Sequence, residues 1–237
     1  MFDERGPTFI ELTRQALSST TRGYDLLAPK FDYTPFRTPD ELLEPMAQII
    51  GPERSIECAL DVACGTGAVM RVLRPLCRSH VTGIDLSQGM LDEAERRLED
   101  APGDAEIRLE QQDVFAMEFD EEFDIITCAG AFGHILQDDQ DAFARRVRAA
   151  LKPGGRFVFV THLMPPVSSK AWWMARGFNA VMHVRNFVLR PPFIMFYLTF
   201  SVERALEVLP GHGFSIEVMA PFEAPFQGMR VVIATRD

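Results

Sequence analysis

The sequence predicts an α/β fold: an open, doubly wound and mostly parallel seven-stranded sheet with an antiparallel hairpin at its edge. Three observations carry this. From residue 56 onward, short apolar runs rich in β-branched residues alternate with amphipathic helical segments, the pattern of a parallel sheet covered on both faces. Small residues, Ala63 to Ala68, join the first of these runs to the first helix. At the carboxyl end two strand-like runs follow each other with no helix between them.

Residues 1–50 predict an N-terminal helical cap, with helices over 8–27 and 39–50 separated by a loop carrying Pro29, Phe31, Tyr33, Pro35 and Phe36. Strands are expected at 56–62, 81–85, 106–111, 123–128 and 156–161. Between the first two strands, Val69, Val72, Leu73 and Leu76 share one helix face, which Pro75 ends or kinks. Leu91, Ala94 and Leu98 stripe the next helix, and Phe143, Val147, Ala150 and Leu151 a later one. A short helix over 202–209 precedes the terminal strands, 214–220 and 229–235. Residues 51–161 and 201–237 thus read as one core. Residues 162–200 are an insertion of little charge and many large side chains, among them Trp172, Trp173, Phe187 and Phe193.

The 237 residues carry a net charge of −10, which argues against a nucleic-acid partner, since phosphate binding needs a cationic face. The four cysteines lack the paired short spacings of a zinc site and read as free thiols, so no metal is expected. No cationic segment followed by an apolar run opens the chain. The longest apolar stretch, 187–200, is broken by Arg190-Pro191-Pro192. These features predict a cytoplasmic protein without stable membrane insertion. The acidic balance also disfavours anionic lipid as a partner for the Trp-bearing insertion.

The chemistry concentrates at strand ends. The turn Asp61-Val62-Ala63-Cys64-Gly65-Thr66-Gly67 lets a ligand approach the backbone, with a helix amino terminus facing it. Asp85 ends the second strand 18 residues beyond Gly67, where a carboxylate accepts both hydroxyl hydrogens of a ribose; a helix cap is the alternative role. Asp113, after the third strand, is placed to accept from an adenine amino group, and the small residues Ala129 and Gly130 leave space after the fourth. All four features lie at carboxyl ends of strands, the edge where open α/β sheets bind ligands.

As a set these motifs resemble the class I S-adenosylmethionine-dependent methyltransferases of small-molecule type, over about residues 20–161 and more weakly over the terminal hairpin. The resemblance implies S-adenosylmethionine as cofactor and S-adenosylhomocysteine as product. It places Asp61 at the head of a Gly-x-Gly-x-Gly loop matched by Ala63, Gly65 and Gly67, with Ala63 departing from the first glycine. It assigns Asp85 to the ribose, Leu86 and Met90 to the adenine walls, and Asp113 to the adenine amino group with Val114 beside it. Cys128 and Ala129 fall to the backbone near the methionyl amine. In the cap, Tyr24 would contact the cofactor and Arg37 pair its carboxylate; a packed aromatic and a solvated arginine are their plain alternatives.

The reaction so implied is in-line transfer of a methyl group to a small, apolar or aromatic acceptor, which needs alignment and exclusion of water more than a dedicated catalyst. For a neutral hydroxyl acceptor, His134 is the candidate base, with a structural or orienting role as the alternative. His162, Trp172, Trp173 and His183 are candidate acceptor-binding residues if the insertion is a lid; core packing or a homodimer interface would equally account for its aromatics. Two other readings remain open. One is a methyltransferase-like protein that binds the cofactor without turnover. The other is a nicotinamide dehydrogenase, against which stands Met70, where that fingerprint wants glycine or alanine.

Overall fold

The computed structural model describes residues 4–237; residues 1–3, on which the reading of the chain's opening partly rests, lie outside that span. The elements follow as α1 (Phe9–Leu17), α2 (Thr20–Leu27), α3 (Asp40–Ile50), β1 (Ile56–Val62), α4 (Ala68–Leu73), β2 (Cys77–Asp85), α5 (Gln88–Leu98) and β3 (Glu106–Gln111). The second half runs β4 (Phe123–Cys128), α6 (Gln140–Ala150), β5 (Leu151–His162), α7 (Lys170–Val188), α8 (Val202–Val208), β6 (Phe214–Met219) and β7 (Met229–Arg236).

The seven strands form one sheet in the order β3-β2-β1-β4-β5-β7-β6. The first five are mutually parallel, while β7 runs antiparallel between β5 and β6. That antiparallel insertion separates the fold from the dinucleotide-binding order 3-2-1-4-5-6 and removes the ground for the dehydrogenase reading. Side chains alternate across the sheet. Leu60, Val62, Ile126, Phe157 and Phe159 face α6 and α8, whereas Ala59, Val81, Ile125, Val158 and Val160 face α3, α4 and α5. Fully buried Phe123, Phe143, Phe157, Phe159 and Phe200 dominate the first of these cores, each contributing roughly 1.5–3 kcal/mol relative to exposure.

Local chemistry explains where the elements depart from expectation. The single helix expected over 8–27 is two, because Thr8 closes a capping box with Glu11 and Ser19 starts a new helix by accepting from the Arg22 amide. Strand β2 begins at Cys77, four residues early: Pro75 ends the helix in a tight turn, and the chain pairs at once with Ile56. Strand β5 starts at Leu151, opposite Phe123, and a register shift absorbs Lys152-Pro153-Gly154-Gly155. The insertion, left without regular structure by its sequence, holds the 19-residue helix α7, capped by Ser169. All four cysteines are free and buried.

Candidate functional site

Strand order reverses between β1 and β4, and a cavity opens outside their carboxyl ends, as expected at such a switch point. Its wall includes Tyr24, Arg37, Asp61, Ala63, Gly65, Asp85, Leu86, Met90, Asp113, Val114, Cys128, Ala129 and His134. Of the residues expected near a cofactor, Gly67 alone does not line it. Gly67 starts α4 at φ 81°, where a Cβ would lie 2.9 Å from Leu98 Cδ1, so its role is close helix packing. Ala63 itself sits at φ 54°, a region costing a non-glycine residue about 1–2 kcal/mol.

Two carboxylates organise the floor. Asp85 accepts from the Gly65 amide at 2.9 Å and the Ser87 amide at 2.8 Å, holding the glycine turn against the start of α5. Burial raises its carboxyl above the ordinary range, partly opposed by those amides. Asp61 is 1 % exposed and accepts from Thr127 Oγ1 at 2.8 Å through one oxygen only. Burial pushes its carboxyl up to about 7, against the Thr127 hydrogen bond, with Asp85 adding repulsion. Asp113 accepts from the Phe115 amide at 2.9 Å.

Three polar atoms of the wall are buried without a protein partner: Arg37 Nε, Asp61 Oδ2 and Gln112 Oε1. Buried polar atoms ordinarily find partners, so a donor and two acceptors left free around one cavity mark places for a ligand's own polar groups. They fit S-adenosylmethionine: a carboxylate for Arg37, an ammonium for Asp61 and an amino group for Gln112. Arg37 meanwhile donates to both oxygens of Asp40, at 2.6 and 2.7 Å. Gln112 was missed in the sequence because neighbouring Asp113 carries the more conspicuous charge.

The cap is fastened over this floor by two aspartates that the sequence did not single out. Asp25 accepts from Ser87 Oγ at 2.6 Å and the Gly89 amide at 3.1 Å; Asp32 accepts from Thr66 Oγ1 at 2.7 Å and pairs with Arg97 at 2.6 Å. Both lie within the segment around Tyr24, but their partners are 34 to 65 residues distant.

His134 sits in a short turn after β4. Its Nδ1 bonds the Ile194 carbonyl, so that nitrogen carries the proton and Nε2 accepts from the Tyr24 hydroxyl at 2.9 Å. Burial pushes the imidazole below its usual range and the Tyr24 phenol above its own. The partner carbonyl belongs to the stretch after α7, which also bonds Thr20 through the Ile194 amide, Gly133 through the Phe196 amide and Phe132 through Thr199 Oγ1.

The other four candidates lie outside the cavity, which no residue of 162–200 lines. Trp173 is 63 % exposed because α7 rests on its Trp172 and Ala175 side, and Trp172 stacks edgewise on Trp173. His183 lies against the Phe196 ring, and His162 ends β5 opposite Met229 with Nε2 buried and unpartnered. None of the four forms part of that cavity's wall. No group of His, Cys, Asp and Glu able to hold a metal occurs among the described residues.

Residues 59–155 match the family described as "Methyltransferase domain". Over those residues the chain is similar to a methyltransferase domain, and its fold is that of the class I S-adenosylmethionine-dependent enzymes. Among relatives, it is 37 % identical over 121 residues to the demethylmenaquinone methyltransferase of Thermotoga maritima, covering 49 % of this chain and 46 % of that protein. It is 32 % identical over 102 residues to a ubiquinone biosynthesis O-methyltransferase of Pseudomonas putida, covering 43 % of each. The chain thus aligns with about half the length of the curated relatives it matches. Among solved structures, the DhpI–SAH complex superposes with a TM-score of 0.66 at 23 % identity, covering 96 % of this chain and 98 % of that one.

Proposed function

We propose that the protein transfers a methyl group from S-adenosylmethionine to the hydroxyl of a small, apolar aromatic acceptor of quinol type. The observation that carries the cofactor assignment is the trio of unpartnered buried atoms, Arg37 Nε, Asp61 Oδ2 and Gln112 Oε1, set around Asp85 in one cavity. When bound, the cofactor supplies an electrophilic sulfonium methyl group. The residues of this chain then have to bind, orient and exclude water. Asp85 would receive the ribose hydroxyls and Asp61 the amino-acid end, and Leu86, Met90 and Val114 would provide apolar walls, all of them lining the cavity.

Tyr24 and His134 provide for the acceptor's proton. The Tyr24 oxygen keeps a lone pair while its hydrogen points at His134 Nε2. As the acceptor hydroxyl loses its proton to the Tyr24 oxygen, the Tyr24 proton passes to Nε2, and His134 ends the step as imidazolium held by the Ile194 carbonyl. The buried phenol resists becoming a free phenolate, which favours moving both protons together. Relatives named as a demethylmenaquinone methyltransferase and a ubiquinone biosynthesis O-methyltransferase support the acceptor class. The test is incubation with cofactor and a panel of hydroxylated quinols, read by mass spectrometry. A product heavier by one methylene, with stoichiometric S-adenosylhomocysteine, is expected; S-adenosylhomocysteine binding with no product from any quinol overturns the acceptor assignment.

A further inference from the structure

Helix α7 is the longest among the described residues, and it turns its apolar side chains outward. Trp173 and Met174 are each 63 % exposed, Val181 66 %, Val184 65 %, Phe187 84 % and Val188 68 %. At 3.6 residues per turn these six fall within an arc of about 140° running the helix's full length. An ordinary surface helix shows solvent its polar face, so this one is inverted. The patch extends beyond α7. The Arg185 guanidinium donates to the Ala16 and Ser18 carbonyls at 2.9 and 2.6 Å, bringing the end of α1 beside the end of α7, and α1 exposes Phe9, Ile10 and Leu17.

Charge identifies the occupant. No Asp or Glu occurs between Asp141 and Glu203, whereas 163–202 hold Lys170, Arg176, Arg185 and Arg190, in a chain whose net charge is −10. Lys170 starts the exposed face, and Arg176 flanks it, its guanidinium over the Trp172 ring at 5.5 Å. We propose that this face of α7 docks in the plane of an anionic bilayer, with Trp173 and Phe187 as apolar anchors and the cations on lipid headgroups. The charge of the whole chain is the wrong guide here, because screening confines attraction to groups within about 10 Å of the surface. A second copy fits poorly: a two-fold interface sets α7 against α7, whose charged side chains, Lys170, Arg176 and Arg185, are all cations. No helix among the described residues is long and apolar enough to cross a membrane, which agrees with docking on the surface. The stretch following α7 clasps His134, so the docked segment is continuous with the wall of the cavity.

The inference stands apart from methyl transfer, because vesicle binding is read without turnover. Trp172→Phe leaves Trp173 as the sole indole of the chain. Titrated with phosphatidylglycerol-containing vesicles, this variant is expected to shift its emission to the blue and to sediment with the lipid, and to do neither with phosphatidylcholine alone. Lys170→Glu with Arg176→Glu should weaken binding at least tenfold, at roughly fivefold per cation. Phe187→Ser should weaken it while S-adenosylhomocysteine affinity stays at the parent value. Failure of the parent protein to sediment with anionic vesicles overturns the proposal whatever the variants do. So does equal binding to neutral vesicles, or a dimer in light scattering that Phe187→Ser dissociates without any lipid binding.

Discussion

The Tyr24 hydroxyl donates to His134 Nε2 at 2.9 Å across 110 positions of sequence, joining the helical cap to the turn after β4. Phe193 stacks on the other side of Tyr24, with ring centroids 6.1 Å apart, and the Ile194 carbonyl fixes the imidazole tautomer. Cap, sheet edge and the stretch after α7 thus meet at one proton-bearing pair.

That pair should show itself in the kinetics. Replacing His134 with Gln, or Tyr24 with Phe, should lower kcat on a hydroxyl acceptor by about 10²-fold, the lower end of what proton transfer contributes. Since burial lowers the His134 pKa, the parent's activity should persist into mildly acidic solution and fall only below the ordinary histidine range. That acid limb should disappear in the glutamine variant. Parent-like kcat in both variants would remove the pair from the reaction.

Asp61 should give the cofactor affinity a pH dependence. Its carboxyl titrates near 7 in the folded protein and about 4 when unfolded, so the free protein binds the proton more strongly than the unfolded chain. On this account the free protein loses stability as pH rises from about 4 to 7. A ligand ammonium prefers the ionised carboxylate, so affinity for S-adenosylhomocysteine should climb about tenfold per unit up to pH 7 and then level. Calorimetry in buffers of different ionisation enthalpy should detect one proton released at pH 6, and none in Asp61→Asn.

Asp85→Ala should weaken S-adenosylhomocysteine binding more than Asp113→Ala. Asp85 accepts two backbone amides that shape the glycine turn, besides the ribose hydroxyls it would receive in the proposed function, and bonds to a charged acceptor contribute about 1.5–3 kcal/mol each. Equal affinities, with both variants folded by circular dichroism, would contradict that order.

Asp32→Ala should loosen the cap from the sheet. It removes the Thr66 bond and the Arg97 pair, while Arg97 keeps Glu93 at 2.6 Å. Limited proteolysis should cut the first 40 residues faster, and thermal stability should fall by a few degrees, consistent with a loss of about 1–2 kcal/mol. An unchanged cleavage rate would mean that Asp25 alone holds the cap.

What the sequence by itself determined is what depends on local pattern. Residues 56–62, 106–111 and 123–128 announce strands because their apolar character is continuous or alternates over a few positions, and Asp61, Gly65, Asp85 and Asp113 fall at strand ends by counting. Which side of α7 faces the protein could not be read that way: Asn179, Arg185 and Asn186 turn inward to donate to the backbone carbonyls of Tyr197, Ala16 and Phe193, so a rule that sends polar side chains to solvent picks the wrong face. The tertiary structure decided that Trp173 and Phe187 face outward, and that Ile194 fixes the tautomer of His134. It also left one oxygen of Asp61 without a partner. Each of these rests on groups brought together from distant parts of the chain, and such pairing is set by the closure of the whole fold rather than by any window of sequence.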